Sequence, residues 1–496
     1  MTAARPFALL DFTLEGPAGG GPLRFEGPRA VLEAWRPADV PGVLARVEKA
    51  AVAGAWAVGF VAYEAAPAFD PALAVRTPNA DEPRLPLAWF AVFDGPRTPG
   101  AECLTDAAGA ADAGWAAEVG AGDYERAVEA TRAGIARGDY YQVNHTVRLA
   151  GAPPPDPLAL WARLRAAQLG GGPGFGAFLR GGAGEGAWWV ASASPELFFA
   201  RRGRRVVARP MKGTAPRGRW SAEDDARRAA LLASPKERAE NVMIVDLLRN
   251  DLNRVADGVR ATRLFDAERY PGVWQLTSTV EGTLRAGAGL VDVFAALFPC
   301  GSVTGAPKVA AMRRIAAAER SARGPYCGAV GVVAPGGDCA FAVAIRTAWG
   351  DGRGARYGAG GGVTWDSEPA AEWRELALKA AVLRARPRPA FALLETLRLE
   401  AADGGARFPD LDGHMRRLAA SARYFGLADP APAARAALAA EARAAEAEAA
   451  RGDAGAGVWR VRLTAAPDAA VRVARVPYAD TPAPPWRAAL STRPVD

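Results

Sequence analysis

Arg209-Pro210-Met211-Lys212-Gly213-Thr214 follows residues 197–208, in which two apolar runs flank a basic turn. That pattern predicts a β-hairpin immediately before Lys212. Pro210 and Gly213 bracket the lysine, which indicates a fixed backbone rather than a solvated helix face. The stretch is therefore expected to hold one lysine in a defined place at the end of a hairpin.

Lysine is scarce in this chain, because arginine supplies all but five of the 61 basic side chains. The five lysines are Lys49, Lys212, Lys236, Lys308 and Lys379. A desolvated lysine can lose its proton and act as a nucleophile, whereas arginine cannot. Lys212 is therefore a candidate nucleophile, and the alternative is an ordinary ion-pairing lysine at a strand end.

The composition is that of a soluble globular protein of two or three domains, since half of the 496 residues are apolar and 23% are charged. The net charge of +7 comes mostly from scattered arginines, and the one dense cluster, residues 201–205, resembles a hairpin turn. No basic stripe is interleaved with aromatic residues, so the sequence does not support nucleic-acid binding.

Cysteine usage and the N-terminal sequence favour a reducing cytoplasmic location. The four cysteines form no CxxC pair, and the two histidines offer no zinc-site spacing. Acidic Asp11 follows a short apolar run near the N-terminus, which is unlike a signal peptide. No run approaches the ~18 apolar residues that a membrane span needs, so no membrane association is expected.

The order of patterns along the chain predicts three regions. Residues 1–112 contain short apolar runs that are typical of buried strands, and the alanine- and glycine-rich residues 107–114 are expected to form a linker. Residues 118–388 alternate between helical and strand patterns, including a long helical region over residues 221–255. Beyond two prolines the composition shifts, which marks residues 391–496 as a separate segment.

Two glutamate pairs have helical i,i+3 spacing, Glu237 with Glu240 and Glu372 with Glu375. Like charges at that spacing repel, so each pair requires water, a basic neighbour or a cation. Magnesium prefers hard oxygen ligands and often uses only one or two protein carboxylates. The alternatives are a capping box over residues 234–237 and solvated helix faces for the other three glutamates.

Three further segments suit the binding of an anionic ligand. Thr304-Gly305-Ala306-Pro307 is expected to open a helix, whose free N–H groups bind carboxylate or phosphate; the alternative is plain N-capping by Thr304. Gly358–Gly362 permits close approach of the backbone to a ligand, or forms a tight turn. Arg346, inside a predicted strand over residues 340–347, is a candidate carboxylate clamp, with a buried ion pair as the alternative.

Together these segments resemble the chorismate-utilising enzymes over roughly residues 120–385. The motifs that carry the resemblance are Ser194-Pro195-Glu196, Pro210-Met211-Lys212-Gly213-Thr214, residues 240–251 (ENVMIVDLLRND), residues 301–308 (GSVTGAPK), Ala344-Ile345-Arg346-Thr347, and the glycine loop before Asp366-Ser367. The resemblance implies an α/β fold with large antiparallel β-sheets and flanking helices, as in anthranilate synthase component I, and one magnesium ion.

The resemblance also implies a set of site residues, each taken by its position in a motif. The implied metal ligands are Glu240 and Glu375, with Glu237 and Glu372 in support. The implied substrate-binding groups are Arg346, Tyr326, the Gly360 and Gly361 amides, Thr304, Lys308 and Gln142.

Within the family that the chain resembles, Lys212 indicates one subgroup, because the similar anthranilate synthases carry alanine at that position. Lysine there resembles the 4-amino-4-deoxychorismate synthases, component I. The implied reaction is amination of chorismate at C4 through a lysine adduct at C2, for para-aminobenzoate and folate synthesis. Gln142 favours amination, since water-adding relatives carry a lysine base there. Gln275 replaces a histidine tied to aromatising steps, which disfavours anthranilate formation.

Two alternatives to this function stay open, namely anthranilate synthase component I and a non-catalytic subunit that only binds a partner. The chain lacks the nucleophile motif of a glutamine amidotransferase. Glutamine-derived ammonia would therefore come from a separate amidotransferase subunit.

The segment from Phe391 onward resembles the first part of a 4-amino-4-deoxychorismate lyase of the class IV aminotransferase fold. Residues 393–398 and 412–418 carry this likeness. No lysine follows Lys379, so no pyridoxal phosphate imine is expected in this chain, and a separate lyase is a possible partner. An apolar face in this segment is expected to be partly uncovered and to include Leu418, Tyr424, Phe425 and Leu427.

Overall fold

The computed structural model describes residues 7–12, 22–98, 114–169, 174–385, 391–402, 405–450 and 457–478. The chain divides into two compact units, one of residues 1–217 with 226–387 and the other of residues 218–225 with 388–496. The expected linker over residues 107–114 lies outside the described residues except for Gly114.

The helices up to residue 387 are α1 (Val40–Val52), α2 (Ala121–Ala136), α3 (Pro157–Gln168), α4 (Ser221–Ala233), α5 (Pro235–Asn253), α6 (Leu290–Leu297), α7 (Lys308–Ala318) and α8 (Pro369–Ala380). The strands are β1 (Phe7–Phe12), β2 (Pro22–Glu26), β3 (Ala30–Ala34), β4 (Trp56–Val61), β5 (Ala88–Phe93), β6 (Ala116–Ala117), β7 (Gln142–Gly151), β8 (Phe175–Gly181), β9 (Trp188–Ser194), β10 (Leu197–Arg202), β11 (Arg205–Arg209), β12 (Met211–Pro216), β13 (Ala256–Arg269), β14 (Val273–Leu284), β15 (Gly305–Ala306), β16 (Ala329–Val333), β17 (Cys339–Val343), β18 (Thr347–Asp351) and β19 (Gly354–Val363).

Two large antiparallel sheets organise the first unit. Among the described strands, nine form the first sheet, in the order β15-β7-β19-β18-β9-β8-β1-β2, with β6 beside β7. Ten form the second sheet, in the order β12-β14-β11-β10-β17-β16-β4-β5-β3, with β13 beside β14. The predicted α/β fold with large antiparallel sheets is therefore confirmed.

The strands before residue 112 pair directly with strands of residues 118–388. Strand β1 pairs with β8 in the first sheet, and β4 pairs with β16 in the second. Every residue of β5 is buried, as the apolar run at that place predicts for a strand covered on both faces. The two predicted regions thus share their sheets and a common core.

The connections that cross between the sheets include one through Pro195 and one over residues 344–346. The crossings lie against each other, because the Val343 N–H donates to Glu196 O at 3.1 Å and the Ala193 N–H donates to Arg346 O at 3.1 Å. Arg346 has a φ of +51°, in the left-handed region. The prediction that Arg346 lies inside a strand is therefore wrong, since the chain leaves one sheet and enters the other at this residue.

The helical region predicted over residues 221–255 is two helices, α4 and α5, which meet at Ser234 and Pro235. Pro235 occupies the first position of α5, where its missing N–H costs nothing. Helix α7 begins at Lys308 with Pro307 as its N-cap, so the alternative role of Thr304 as that cap is wrong.

The second unit contains what we call the C-terminal lobe, residues 391–478. Its elements are strands β20 (Leu393–Ala402), β21 (Gly405–Arg407), β22 (Gly457–Ala465) and β23 (Val471–Pro477), and helices α9 (Leu411–Phe425) and α10 (Ala431–Ala450). The sheet order is β21-β20-β22-β23. Leu418 of α9 is 1% exposed and packs in the lobe's own core, contrary to the expected uncovered face, whereas Phe425 is 42% exposed.

None of the helices in the described part of the chain is long and apolar enough to span a membrane.

Candidate active site

One cavity of about 240 Å³ collects most of the predicted site residues. It lies where the two sheets approach each other and where helices α5 and α8 face them. The predicted residues that line it are Lys212, Glu237, Glu240, Tyr326, Arg346, Gly360, Gly361, Glu372 and Glu375. Residues that lie far apart in the sequence thus contribute to a single site.

Lys212 sits at an irregular point of strand β12, where the register with β14 shifts between Met211 and Thr214. Gly213 has a φ of +98°, which favours glycine, and so it permits the kink beside the lysine. The Asn241 amide of α5 donates to Lys212 O at 3.1 Å and secures the kinked backbone. The bracketing residues therefore fix Lys212 facing the cavity.

Gly362 of β19 lies directly beside the Lys212 amine. A β-carbon at Gly362 would come within 2.7 Å of Lys212 Nζ and closer still to Gln142 Nε2. The buried Gln142 amide and the lysine amine thus flank the same point, although Gln142 is not itself part of the cavity lining. Glycine at position 362 leaves room for both groups.

Glu237 and Glu240 project from the first turns of α5 into the cavity. Ser234 caps the helix, because its hydroxyl accepts from the Glu237 N–H at 3.3 Å. The Glu237 carboxylate instead accepts from the Thr214 N–H at 3.2 Å, so the predicted capping box is only half formed. Burial, followed by the charge of Glu240, raises the pKa of Glu237 above its usual value.

Glu372 and Glu375 enter the cavity from α8 in two different electrostatic states. Burial raises the pKa of Glu372, although the Ser367 hydroxyl, which donates to it at 2.7 Å, opposes the rise. Burial also acts to raise the pKa of Glu375, but the Lys379 ammonium 2.6 Å away outweighs it and holds that pKa below its usual value.

The glutamates have the donor chemistry that magnesium prefers. No group of three or more potential ligating side chains converges within the described ranges. Magnesium requires no such cluster, because it commonly keeps waters and uses one or two carboxylates plus substrate oxygens. One carboxylate from α5 and one from α8, as in Glu240 and Glu375, fit this requirement.

Arg346 is held in place by backbone rather than by a carboxylate. Its guanidinium donates to Lys379 O at 2.9 Å, and the Tyr357 hydroxyl donates to the same carbonyl at 3.2 Å. Among the described residues no carboxylate lies within 4.0 Å of Arg346, so the alternative of a buried ion pair is not observed. The guanidinium has five N–H donors, and those that Lys379 O and Tyr357 leave open can meet an anionic ligand.

Tyr326 lines the same cavity and stacks on Trp349, with ring centroids 6.5 Å apart. A β-carbon at Gly358 would overlap the Tyr326 ring. Glycine at that position therefore allows β19 to pass close beneath the tyrosine.

Thr304 and Lys308 have structural contacts and are not among the described residues that line the cavity. The Thr304 hydroxyl donates to Cys300 O at 3.1 Å. Lys308 Nζ lies 2.9 Å from Asp251 Oδ2 and donates to Leu297 O at 3.1 Å. These contacts hold the loop over residues 301–308, whose Ser302 does line the cavity.

Glu196 was not predicted as a site residue, although it belongs to the Ser194-Pro195-Glu196 motif. The side chain lines the cavity, is 4% exposed, and has an Oε1 without a hydrogen-bond partner among the described residues. Burial raises the pKa of Glu196 to about 7, while Ser302 and Lys212 oppose the rise. A carboxylate inside the apolar run over residues 188–200 was the available sequence signal.

Lys379 was also missed, although the scarcity of lysine pointed to it. Three of the five lysines, Lys212, Lys236 and Lys379, line this one cavity. Burial lowers the pKa of Lys379, and the Glu375 carboxylate opposes that change. In an arginine-rich chain, the residual lysines are thus concentrated where the carboxylates meet.

Residues 12–385 match the sequence profile of the chorismate binding enzymes. The chain belongs to this family. It is 39% identical over 300 residues to aminodeoxychorismate synthase component 1 of Klebsiella aerogenes, with 60% of this chain and 62% of that protein aligned. It is 40% identical over 291 residues to anthranilate synthase component 1 of Streptomyces coelicolor, with 56% and 54% aligned. The chain spans about half to three-fifths of the length of these relatives.

Two solved structures have the same fold. A putative 2,3-dihydroxybenzoate-specific isochorismate synthase, DhbC, from Bacillus anthracis matches with a TM-score of 0.60 and 20% identity, over 76% of this chain and 95% of that one. Anthranilate synthase component I from Streptococcus pneumoniae matches with a TM-score of 0.60 and 23% identity, over 77% and 92%. At these identities the likeness establishes the fold only.

Proposed function

We propose that this member of the chorismate-binding family is component I of a 4-amino-4-deoxychorismate synthase. It would replace the C4 hydroxyl of chorismate with ammonia and supply para-aminobenzoate and folate synthesis. The observation that carries the proposal is the Lys212 amine, which faces a cavity beside Glu196 and Gln142. A lysine in that place can form a covalent bond to the substrate, which alanine cannot.

Lys212 acts as the nucleophile in the proposed mechanism. Its neutral amine forms a bond to C2 while the ring double bonds shift and the C4–oxygen bond breaks. Ammonia then forms a bond to C4, the double bonds shift back, and the bond between C2 and the lysine breaks. The enolpyruvyl group takes no part and stays on the product.

Glu196 is suited to move the protons of both steps. With a pKa raised to about 7 by burial, it carries a proton in much of the protein at neutral pH. It donates this proton to the departing hydroxyl, which leaves as water, and then accepts one from the alkylated lysine. In the second step it protonates the departing lysine amine and takes up the proton that the added ammonia releases.

Glu240 and Glu375 would hold the magnesium ion, with Glu237 and Glu372 in support. When bound, the ion would supply positive charge for the ring carboxylate of the substrate. Arg346, whose side chain lines the cavity, would hold the second carboxylate with Tyr326 and the amides of residues 360–361.

Gln275 favours amination without aromatisation. It lines the cavity, and its amide oxygen accepts from the Thr214 hydroxyl at 3.0 Å. An amide does not take up a proton near neutral pH, so Gln275 cannot act as the base for an aromatising elimination. The rival assignment, anthranilate synthase component I, is supported by relatives of that name, one at 40% identity and another at 47% over a shorter stretch.

Mass spectrometry of the product from chorismate, magnesium and ammonium tests the proposal. A product that keeps the enolpyruvyl group supports the aminodeoxychorismate synthase. Anthranilate, which has lost it, would support the rival. Unchanged chorismate would favour a non-catalytic subunit that only binds a partner.

We further propose that glutamine-derived ammonia comes from a separate amidotransferase subunit, and that the C-terminal lobe is a partial class IV aminotransferase-like domain. The lobe has no lysine for a pyridoxal phosphate imine. Purified protein mixed with pyridoxal phosphate should therefore release no para-aminobenzoate from aminodeoxychorismate, and a separate lyase would be required. Release without an added lyase would contradict this part of the proposal.

A further inference from the structure

The sheet of the C-terminal lobe has one covered face and one open face. Strand β20 alternates strictly between buried and exposed side chains from Leu393 to Leu399. The buried members pack with residues of α9 and α10 in the core of the lobe. The alternate members of β20, β22 and β23 form the open face, which no other described element covers.

Four arginines cross this open face in what we call the arginine stripe, namely Arg398, Arg460, Arg462 and Arg472. The register places Arg398 directly opposite Arg460. Arg462 is two residues along the same strand, and Arg472 is diagonal to it because it pairs with Thr464. The stripe is therefore continuous across three strands.

Few negative charges balance the arginine stripe. Glu400 is the only carboxylate on the open face among the described residues of these three strands, and it pairs with Arg398 and Arg407. Within the described part of the chain, Arg460 and Arg462 have no carboxylate within 4.0 Å. Like charges directly opposite each other destabilise a sheet, so the stripe does not serve the stability of the lobe.

Exposed apolar side chains accompany the stripe. Leu394 is 55% exposed and Val476 is 45% exposed. Leu394 lies in the same cross-strand row as Arg472, and Val476 lies in the same row as Arg460 and Arg398. Arginine combined with apolar side chains is typical of protein-binding surfaces.

We propose that the open face of the lobe docks an acidic polypeptide segment of a partner protein. Carboxylates of such a segment would relieve the repulsion between Arg398 and Arg460, and its apolar residues would cover Leu394 and Val476. A second copy of this chain is a poor occupant, because a twofold contact would place the stripe against itself and the chain carries a net charge of +7.

Nucleic acid fits the open face less well than an acidic polypeptide. Proteins that bind single strands interleave aromatic stacking platforms with their basic groups. On the described part of this face the one aromatic residue is Tyr478, which follows β23 beside Val458 and lies at the end of the face away from Arg472. Apolar and small residues stand between the arginines instead.

Fluorescence anisotropy with the full chain tests the proposal, using a labelled peptide rich in glutamate and leucine and, separately, labelled oligothymidine. Arg460→Gln/Arg462→Gln should weaken peptide binding by about tenfold or more. The matched control is Arg416→Gln/Arg443→Gln, which removes the same charge from exposed positions of α9 and α10. This control should bind the peptide as the parent does.

Three outcomes would overturn the proposal: equal losses in the two double variants, no detectable peptide binding by the parent, or tighter binding of oligothymidine than of the peptide. Thermal melting guards against a folding artefact, because removing like charges should leave the melting temperature of the Arg460→Gln/Arg462→Gln variant unchanged or raised. Arg462→Lys keeps the charge and should retain most of the peptide affinity, which separates charge recognition from loss of the fold.

Discussion

Lys379 lies one turn after Glu375 on α8, and its ammonium nitrogen is 2.6 Å from that carboxylate. The same nitrogen donates to Gly360 O at 2.7 Å and so links the helix to the glycine-rich strand β19. Lys379 is thus the basic neighbour that the repelling pair Glu372 and Glu375 requires.

Replacing Lys379 with methionine should therefore weaken the fold by a small, pH-dependent amount, because the Glu375 side chain is 51% exposed and solvent screens the ion pair. The lowered pKa of Glu375 stabilises the folded protein above the unfolded pKa of about 4.5, and this contribution is lost as the pH falls through the folded pKa. In Lys379→Met it is absent, so the melting temperature should fall most near neutral pH and least in acid. Lys49→Met, at an exposed position of α1, should melt like the parent at every pH. A deficit that does not vary with pH would contradict the pairing.

Lys212→Ala should reduce aminodeoxychorismate formation by roughly 1,000-fold or more, because it removes the proposed nucleophile. With chorismate, magnesium and no ammonia, peptide mass spectrometry of the parent should find an adduct on the peptide that contains Lys212. Lys236→Ala is the matched control, since it removes another lysine of the same cavity and should keep the adduct. An unmodified peptide together with full activity in Lys212→Ala would exclude the covalent step.

Glu240→Gln and Glu375→Gln should each raise the magnesium concentration needed for turnover and lower the maximal rate, because each removes a charged oxygen ligand. Glu237→Gln should have a smaller effect, since its carboxylate already accepts from the Thr214 N–H. Titration calorimetry of magnesium binding provides a readout that does not depend on activity. Identical magnesium affinities in the parent and both ligand variants would refute the assignment.

The activity of the parent should decline as the pH rises through about 7, because Glu196 then loses the proton that it donates. Glu196→Gln should lower the rate by about 100-fold or more and abolish this alkaline decline. Glu64→Gln is the control, since burial also raises the pKa of Glu64 to about 7 but this residue is not part of the cavity lining. The alkaline decline in activity should persist in Glu64→Gln. If it also persisted in Glu196→Gln, a group other than Glu196 would be its cause.

Gly362→Ala should lower kcat/KM by up to about 100-fold, because the new β-carbon would displace the amine of Lys212 and the amide of Gln142. The displaced atoms are the ends of flexible side chains, so the melting temperature should change little. Gly352→Ala adds the same methyl group where nothing lies within 4 Å and should keep full activity. Equal activity in the two variants would show that the amine tolerates displacement.

Local sequence patterns predicted the strands that are buried along nearly their whole length. Strands β4 and β5 were expected from their apolar runs, because strands buried on both faces carry little polar interruption. The crossing at Arg346 could not be read in this way. Apolar residues continue on both sides of it, and a change of sheet leaves no mark in the periodicity of either strand.

Site residues were predicted where the local sequence carries the signal, and they were missed where the signal depends on tertiary contacts. The motif around Lys212 indicated a fixed backbone, which the kink at Gly213 provides. Glu196 received no role, because its burial depends on strands that are remote in the sequence. Capping of α7 by Thr304 was the alternative to ligand binding, but the cap is Pro307, and only the tertiary contacts of the loop reveal the difference.

Because lysine is scarce and concentrated around one cavity, amine-reactive reagents would label this protein selectively. Reagents that acylate primary amines ignore guanidinium groups, so they would find only five side-chain targets in 496 residues, three of them around one cavity. A ligand that fills the cavity would shield those amines from labelling, and intact-mass measurement would count how many were shielded. Occupancy could thus be followed without turnover, even in variants that have lost all catalytic power.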